Sequence, residues 1–169
     1  MPSEPTILVI DDEEVVLDSC TQVLAAGDCR VVTAGNGTQG LKLAEESRPD
    51  LIFLDLKMPG LSGFEVLERI RSQHPLMVVI VITGYATVSS AIEAMKRGAF
   101  DFLPKPFTPE ELRLIAQRGL EHARLLQQTA VLRREKEMLR ENFAAIVSHE
   151  LKAPLGALQQ NFYALTDEL

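Results

Sequence analysis

The chain has 169 residues, 46% of them hydrophobic and 24% charged, with a formal net charge of −7. Such figures suit one globular domain with an appendage, and the acidic balance argues against a nucleic-acid partner. No apolar stretch reaches the ~20 residues that cross a bilayer, and Cys20 and Cys29 are too few for a disulfide framework or a zinc site.

The opening Met1-Pro2-Ser3-Glu4-Pro5 lacks the basic region and apolar core of a signal peptide. The expectation is a cytoplasmic protein without a membrane partner. Strand and helix patterns then alternate. Apolar runs at 6–10, 30–34, 50–55, 77–82 and 100–104 read as strands, and amphipathic patterns near 13–26, 37–47, 63–73 and 87–97 read as helices. Unbroken apolar runs mark strands buried on both faces, as in parallel sheets. Punctuation agrees: Gly35-Asn36-Gly37 opens the second helix, Pro59-Gly60 marks a loop, and Lys96-Arg97-Gly98 closes the fourth helix. The predicted class is α/β, a parallel sheet with helices on both faces.

Four of these strands end in reactive residues. Asp11-Asp12 follows the first run, Asp55 ends the third, Thr83 follows the fourth, and Lys105 follows the fifth just before Pro106. In an open parallel sheet those ends share one edge, where ligands bind. A carboxylate attacks a phosphoryl donor poorly unless charge is managed by a divalent cation, a lysine and a hydroxyl. Asp11, Asp12 and Asp55 supply the oxygen ligands that Mg²⁺ (or Mn²⁺) prefers. Lys105 is a point charge for a phosphoryl oxygen, and the Thr83 hydroxyl donates to another. Residues 1–109 hold 9 basic and 15 acidic side chains, against 8 and 9 in residues 110–169. The acidic excess therefore sits where a cation site needs it.

After Pro106 the texture changes. Thr108-Pro109-Glu110-Glu111 is a helix start, and from there to Ala153 Gly119 is the only glycine. Leu125, Leu132, Leu139 and Ile146 fall seven apart, each preceded three residues earlier by His122, Thr129, Lys136 and Phe143. The expectation is a two-stranded coiled coil of modest stability, hence a homodimer through the C-terminal helix. The alternative is a single solvated helix leaning on the first domain. Further on, the stripe Phe143, Val147, Leu151, Leu155, Leu158, Phe162, Leu165 and Leu169 begins with steps of four, a stutter in the heptad. His149 points away from this stripe, toward solvent or a partner. Glu150 beside it would orient the imidazole, and Pro154 would bend the helix. His74 and His122 have no such context and read as surface residues.

Asp11-Asp12, Asp55, Met58-Pro59-Gly60-Leu61-Ser62-Gly63, Thr83-Gly84-Tyr85-Ala86 and Phe100-Asp101-Phe102-Leu103-Pro104-Lys105-Pro106-Phe107 resemble the receiver domain of bacterial response regulators. The resemblance covers about residues 5–122. It implies a flavodoxin-like, five-stranded doubly wound sheet of order 2-1-3-4-5. It implies that Asp55 accepts a phosphoryl group from an upstream phosphohistidine donor. It further implies Mg²⁺ held by Asp12, Asp55, Asp11 and the backbone carbonyl of Lys57, a switch formed by Thr83 and Phe102, and a cis Lys105–Pro106 bond. Phe102 lacks the hydroxyl that many family members carry there.

A second resemblance is shorter. Ser148-His149-Glu150-Leu151-Lys152-Ala153-Pro154-Leu155 resembles the phosphoacceptor box of sensor histidine kinases. It implies that His149 is autophosphorylated, with Glu150 as its activating neighbour and a downstream receiver as a further partner. By these resemblances the chain is an N-terminal piece of a protein histidine kinase regulated by a receiver. ATP would bind only a missing C-terminal domain, and this chain alone would show only phosphoacceptor and autodephosphorylation chemistry. Its parts would be a receiver at 1–122, a continuous helix at 109–142 and a truncated phosphotransfer helix at 143–169. The competing reading is a response regulator without kinase output, whose coiled-coil helix is an interaction arm.

Overall fold

Three of the five strands carry an unbroken apolar run of at least four residues, and all five stack as the sequence predicts. The computed structural model describes residues 3–167; Leu169 of the apolar stripe, like Met1 and Pro2, lies outside the described residues. Strands β1 (Thr6–Ile10), β2 (Arg30–Ala34), β3 (Leu51–Leu54), β4 (Val78–Thr83) and β5 (Asp101–Pro104) alternate with helices α1 (Glu14–Ala25), α2 (Gly37–Ser47), α3 (Gly63–Gln73), α4 (Val88–Lys96) and α5 (Pro109–Asp167). All neighbouring strands are parallel, in the order β2-β1-β3-β4-β5. This is the doubly wound, flavodoxin-like arrangement.

Side chains on successive strand residues point to opposite faces, so each strand feeds two cores. On one face Leu8, Ile10, Ile52, Leu54, Val79 and Val81 pack against Ala44 of α2, Val66, Leu67 and Ile70 of α3, and Ala94 of α4. On the other, Ile7, Val9, Leu51, Phe53, Ile80 and Ile82 meet Cys20 and Leu24 of α1 and Leu112, Ile115 and Ala116 of α5. Burial pushes the Cys20 thiol up to about 12, so it stays protonated and serves as core filler.

Local chemistry explains where the helices start. The Asn36 side chain accepts from the Gln39 amide ahead of α2. Ser62 and Glu65 form a reciprocal capping box on α3, Thr87 and Ser90 form one on α4, and Thr108 and Glu111 exchange the same pair of bonds at the start of α5. Arg71 of α3 donates to the Gly98 carbonyl beyond α4, and Arg97 bridges Glu68 of α3 and Glu93 of α4.

Two glycines are demanded by close approach. A Cβ at Gly63 would lie 2.1 Å from the Asp55 carbonyl oxygen and 2.5 Å from Leu56 Cα, both backbone atoms. Only glycine lets the start of α3 sit against the end of β3. At Gly119 of α5, a Cβ would lie 2.8 Å from Leu51 Cδ1 and 2.9 Å from Ile80 Cδ1. The helix therefore rests on the sheet through its bare backbone.

The chain divides into two units, Met1–Gln127 and Gln128–Leu169. The first holds the sheet, α1 to α4 and the first turns of α5; the second is the rest of α5. Pro154 lies inside α5, which remains helical on both sides of it. Among the described residues no helix is long and apolar enough to cross a membrane. The surface assignment of two histidines needs correction. His122 is half-buried and stacks on Phe100 at 4.5 Å between ring centroids, and His74 is half-buried where α3 ends.

The Gly63→Ala variant should lose about 1–3 kcal/mol of stability through overpacking. Gly84→Ala, where no heavy atom lies within 4 Å of the added carbon, should change it by less than about 0.5 kcal/mol. Urea midpoints of the two variants check both values.

Candidate functional site

Register brings the acidic residues together. Ile10 of β1 pairs with Ala34 of β2 and with Leu54 of β3. The next residues continue both ladders: the Asp11 amide donates to the Ala34 carbonyl at 3.1 Å, and the Asp55 amide donates to the Ile10 carbonyl at 2.9 Å. Asp11 and Asp55 thus leave adjacent strands side by side. The Glu13 amide donates to Asp11 Oδ1 at 2.8 Å, which fixes the turn into α1. Across the edge, the Lys105 amide donates to the Thr83 carbonyl at 2.9 Å, and a cis Lys105–Pro106 bond follows.

One carboxylate oxygen each from Asp11, Asp12 and Asp55 lies within 4.8 Å of the others. Asp11 and Asp55 are buried and Asp12 is exposed. Two like charges at that separation repel by about 3 kcal/mol at an effective dielectric near 20. Lys105 answers the repulsion. Its Nζ lies 2.7 Å from Asp11 Oδ2, 2.9 Å from Glu13 Oε1 and 3.5 Å from Asp55 Oδ2. Desolvation alone would lower the Lys105 pKa, but hydrogen bonds to Asp11 and Glu13 and the nearby carboxylates raise it above its ordinary value. Asp11 is raised above the usual carboxylate range. Desolvation is the main cause, and the hydrogen bond from Lys105 only partly offsets it.

The remaining site residues fall around this cluster. Thr83 is buried, and its hydroxyl oxygen accepts from the Tyr85 amide at 3.2 Å. Phe102 is half-buried against the core on the α3 and α4 face. The Lys57 amide lies 3.4 Å from Asp55 Oδ1, which sets the Lys57 backbone beside that carboxylate, and its ammonium lies 5.6 Å above the Tyr85 ring centroid. Three clustered oxygens of this kind fit a hard divalent cation, which takes oxygen ligands and keeps water on its open positions. Glu13 escaped the sequence reading; the only hint was its place in the acidic run Asp11-Asp12-Glu13-Glu14. A cavity of about 820 Å³ lies between α1 and α5, lined by Val23, Leu24, Cys29 and Leu120, at the strand ends opposite the carboxylates.

His149 and Glu150 are not part of this site. Both lie in the second unit and are exposed. Among the described residues no side-chain hydrogen bond or ion pair reaches either one. Adjacent residues on a helix do not face each other, so Glu150 is poorly placed to orient the imidazole. The flanking Val147 and Leu151 are also exposed, at 36% and 52%, so in the single chain His149 does not sit opposite a covered face.

Replacing Lys105 with Ala strands two buried carboxylates. The expected loss is about 3 kcal/mol, and it should shrink in an Asp55→Asn background, where one charge is gone. The loss should also be pH-dependent. Asp11 titrates above its unfolded value, so the folded state binds more protons than the unfolded chain over that window, and stability rises as pH falls through it. Lys105→Ala raises Asp11 further and widens the window. Urea titrations of the four chains in metal-free buffer, at neutral and mildly acidic pH, measure both effects.

Comparison with known proteins agrees with this geometry. Residues 7–117 match the family model of the response regulator receiver domain. The chain is 32% identical over 122 residues to the DNA-binding transcriptional regulator NtrC of Escherichia coli, covering 72% of this chain and 26% of NtrC. It is 36% identical over 143 residues to the alginate biosynthesis transcriptional regulatory protein AlgB of Pseudomonas aeruginosa, covering 85% and 31%. The chain therefore spans between a quarter and a third of these relatives. Among solved structures, a response regulator receiver domain protein from Clostridium thermocellum superposes with a TM-score of 0.68 at 38% identity, covering 72% of this chain and 98% of that one. NtrX from Brucella abortus gives a TM-score of 0.72 at 34% identity, covering 77% and 30%. These relatives are response regulators and not histidine kinases, which overturns the expectation that the parent protein is a protein histidine kinase. The chain belongs to the response regulator receiver domain family, the phosphoryl-accepting modules of two-component signalling.

Proposed function

We propose that Asp55 is the phosphoryl acceptor, and that the chain acts as a response regulator receiver whose α5 helix is an interaction arm. The observation that carries this reading is the cluster of Asp11, Asp12 and Asp55 oxygens within 4.8 Å, held beside the Lys105 ammonium. In the transfer, an Asp55 carboxylate oxygen attacks the phosphorus of a phosphohistidine on an upstream protein. A P–O bond forms as the P–N bond breaks, and the imidazole leaves with the electron pair. Asp11, Asp12, Asp55 and the Lys57 carbonyl would hold Mg²⁺ or Mn²⁺, which when bound neutralises charge on the phosphoryl oxygens.

The chain's own groups supply the rest. Lys105 already touches Asp55 and pairs with a phosphoryl oxygen once one arrives. Glu13 and Asp11 compete for the same ammonium, so the transfer redistributes existing ion pairs and leaves the lysine charged throughout. The Thr83 hydroxyl leaves the Tyr85 amide to meet another phosphoryl oxygen, and Phe102 moves into the space that opens. Such a rearrangement biases α4, β5 and the start of α5, the elements on that side of the sheet.

The arm reading is supported by the exposure of Leu132 (64%), Leu139 (70%), Phe143 (70%) and Ile146 (60%) in the single chain. A row of large apolar side chains on one helix marks an interaction surface, and the partner proposed is a second copy of the chain.

Incubation with acetyl phosphate and Mg²⁺ should add one phosphoryl group, labile to hydroxylamine as an acyl phosphate is. Asp55→Asn should abolish the addition, and removal of the divalent cation should slow it at least tenfold. Label persisting in the Asp55→Asn variant would place the acceptor elsewhere. Thr83→Ala should keep acceptance while losing any effect of phosphorylation on self-association, read by light scattering with and without acetyl phosphate.

A further inference from the structure

The charges beside the apolar row of α5 carry orientation. With Leu132, Leu139 and Ile146 as one seam position of the heptad, Thr129, Lys136 and Phe143 take the other. The positions flanking the seam then hold Glu135 on one side and Arg133 and Arg140 on the other. In a parallel two-stranded coil a flanking residue faces the residue five places further along the second chain. Glu135 therefore faces the partner's Arg140, and symmetry makes the pair twice. Lys136, inside the seam, lies next to the partner's Glu135. An antiparallel coil would instead set Arg against Arg along one flank.

In the single chain Glu135, Lys136 and Arg140 are all exposed. Among the described residues none of them is in an ion pair, while Arg113 and Arg118 earlier on the same helix each are. The seam also has a defined beginning. His122, which the heptad would place in it, is instead stacked on Phe100 within the first unit, so the pairing segment lies beyond it.

We infer that residues 129–146 of α5 pair in parallel and in register with a second copy of the chain, selected by Glu135–Arg140 pairs and a Lys136 inside the seam. The inference rests on the reading of α5 as an interaction arm and adds orientation and register to it. One polar residue inside a seam gives up stability for a single register. The modest apolar content of the other seam position leaves the dimer open to adjustment by the receiver.

The test uses the whole chain. Sedimentation equilibrium should show dimers at tens of micromolar. Glu135→Arg and Arg140→Glu should each weaken self-association roughly tenfold, because both symmetric pairs turn repulsive. Mixing the two variants should restore most of it, since both 135–140 pairs become complementary again and only one of the two Lys136 contacts stays repulsive. A Leu139→Cys chain should form a disulfide with its own copy under mild oxidation, and Met138→Cys, on the outer face, should not. Dimers that fail to crosslink through Leu139→Cys, or that ignore both charge reversals, would overturn the parallel register and leave the arm standing. A monomer at those concentrations would overturn the arm reading together with the register.

Discussion

The structure turns on one electrostatic constraint: buried carboxylates are held together at a sheet edge by hydrogen bonds they cannot escape. Asp11 and Asp55 each continue a parallel ladder through their own backbone amides. Their side chains leave the strands at fixed places and cannot drift apart to relieve repulsion. A counter-charge offsets that repulsion, and Lys105 brings it from the end of β5, two strands from β3 in the sheet. A site that is costly to assemble in this way is poised to gain from any cation or acceptor chemistry that spreads the charge. The apolar layers on both faces of the sheet supply the stability that makes the arrangement tolerable.

Much of this was legible in the letters. Parallel strands must be apolar throughout, so they stand out as runs, and a reactive residue just past such a run lands on the binding edge wherever the helices lie. Asp55 shows how forgiving the logic is. The strand stops at Leu54 rather than at Asp55, yet the Asp55 amide still bonds to Ile10 and the side chain keeps its place. Glu13 was not legible. Its contact with Lys105 spans 92 positions of sequence and depends on how the first turn of α1 leaves Asp11. His122 misled for a different reason. The heptad count runs smoothly through it, but the rotation of α5 at that level is set by its fit against Leu51, Ile80 and Phe100, which no local periodicity records.

The kinase-like box shows the limit of short motifs. Eight letters on an exposed helix constrain little, because no packed neighbour fixes what they do. The receiver assignment rests on residues from four strand ends and their connecting loops, which only one fold brings together. Agreement over 111 residues of a family model therefore outweighs a local likeness. Physical context decides between them as well: Lys105 touches three carboxylates, whereas His149 touches no polar partner among the described residues.

Gly119 sits in α5 where the helix meets the sheet, and glycine is among the poorest helix formers, costing about 1 kcal/mol relative to alanine. A Cβ there would meet Leu51 Cδ1 at 2.8 Å and Ile80 Cδ1 at 2.9 Å, so the helix gives up propensity at the one turn where the sheet supports it from below. From Leu120 to Leu155 no glycine recurs. The weakest turn of the helix by sequence is therefore the one held by packing on β3 and β4, and helical order there is tied to the integrity of the sheet.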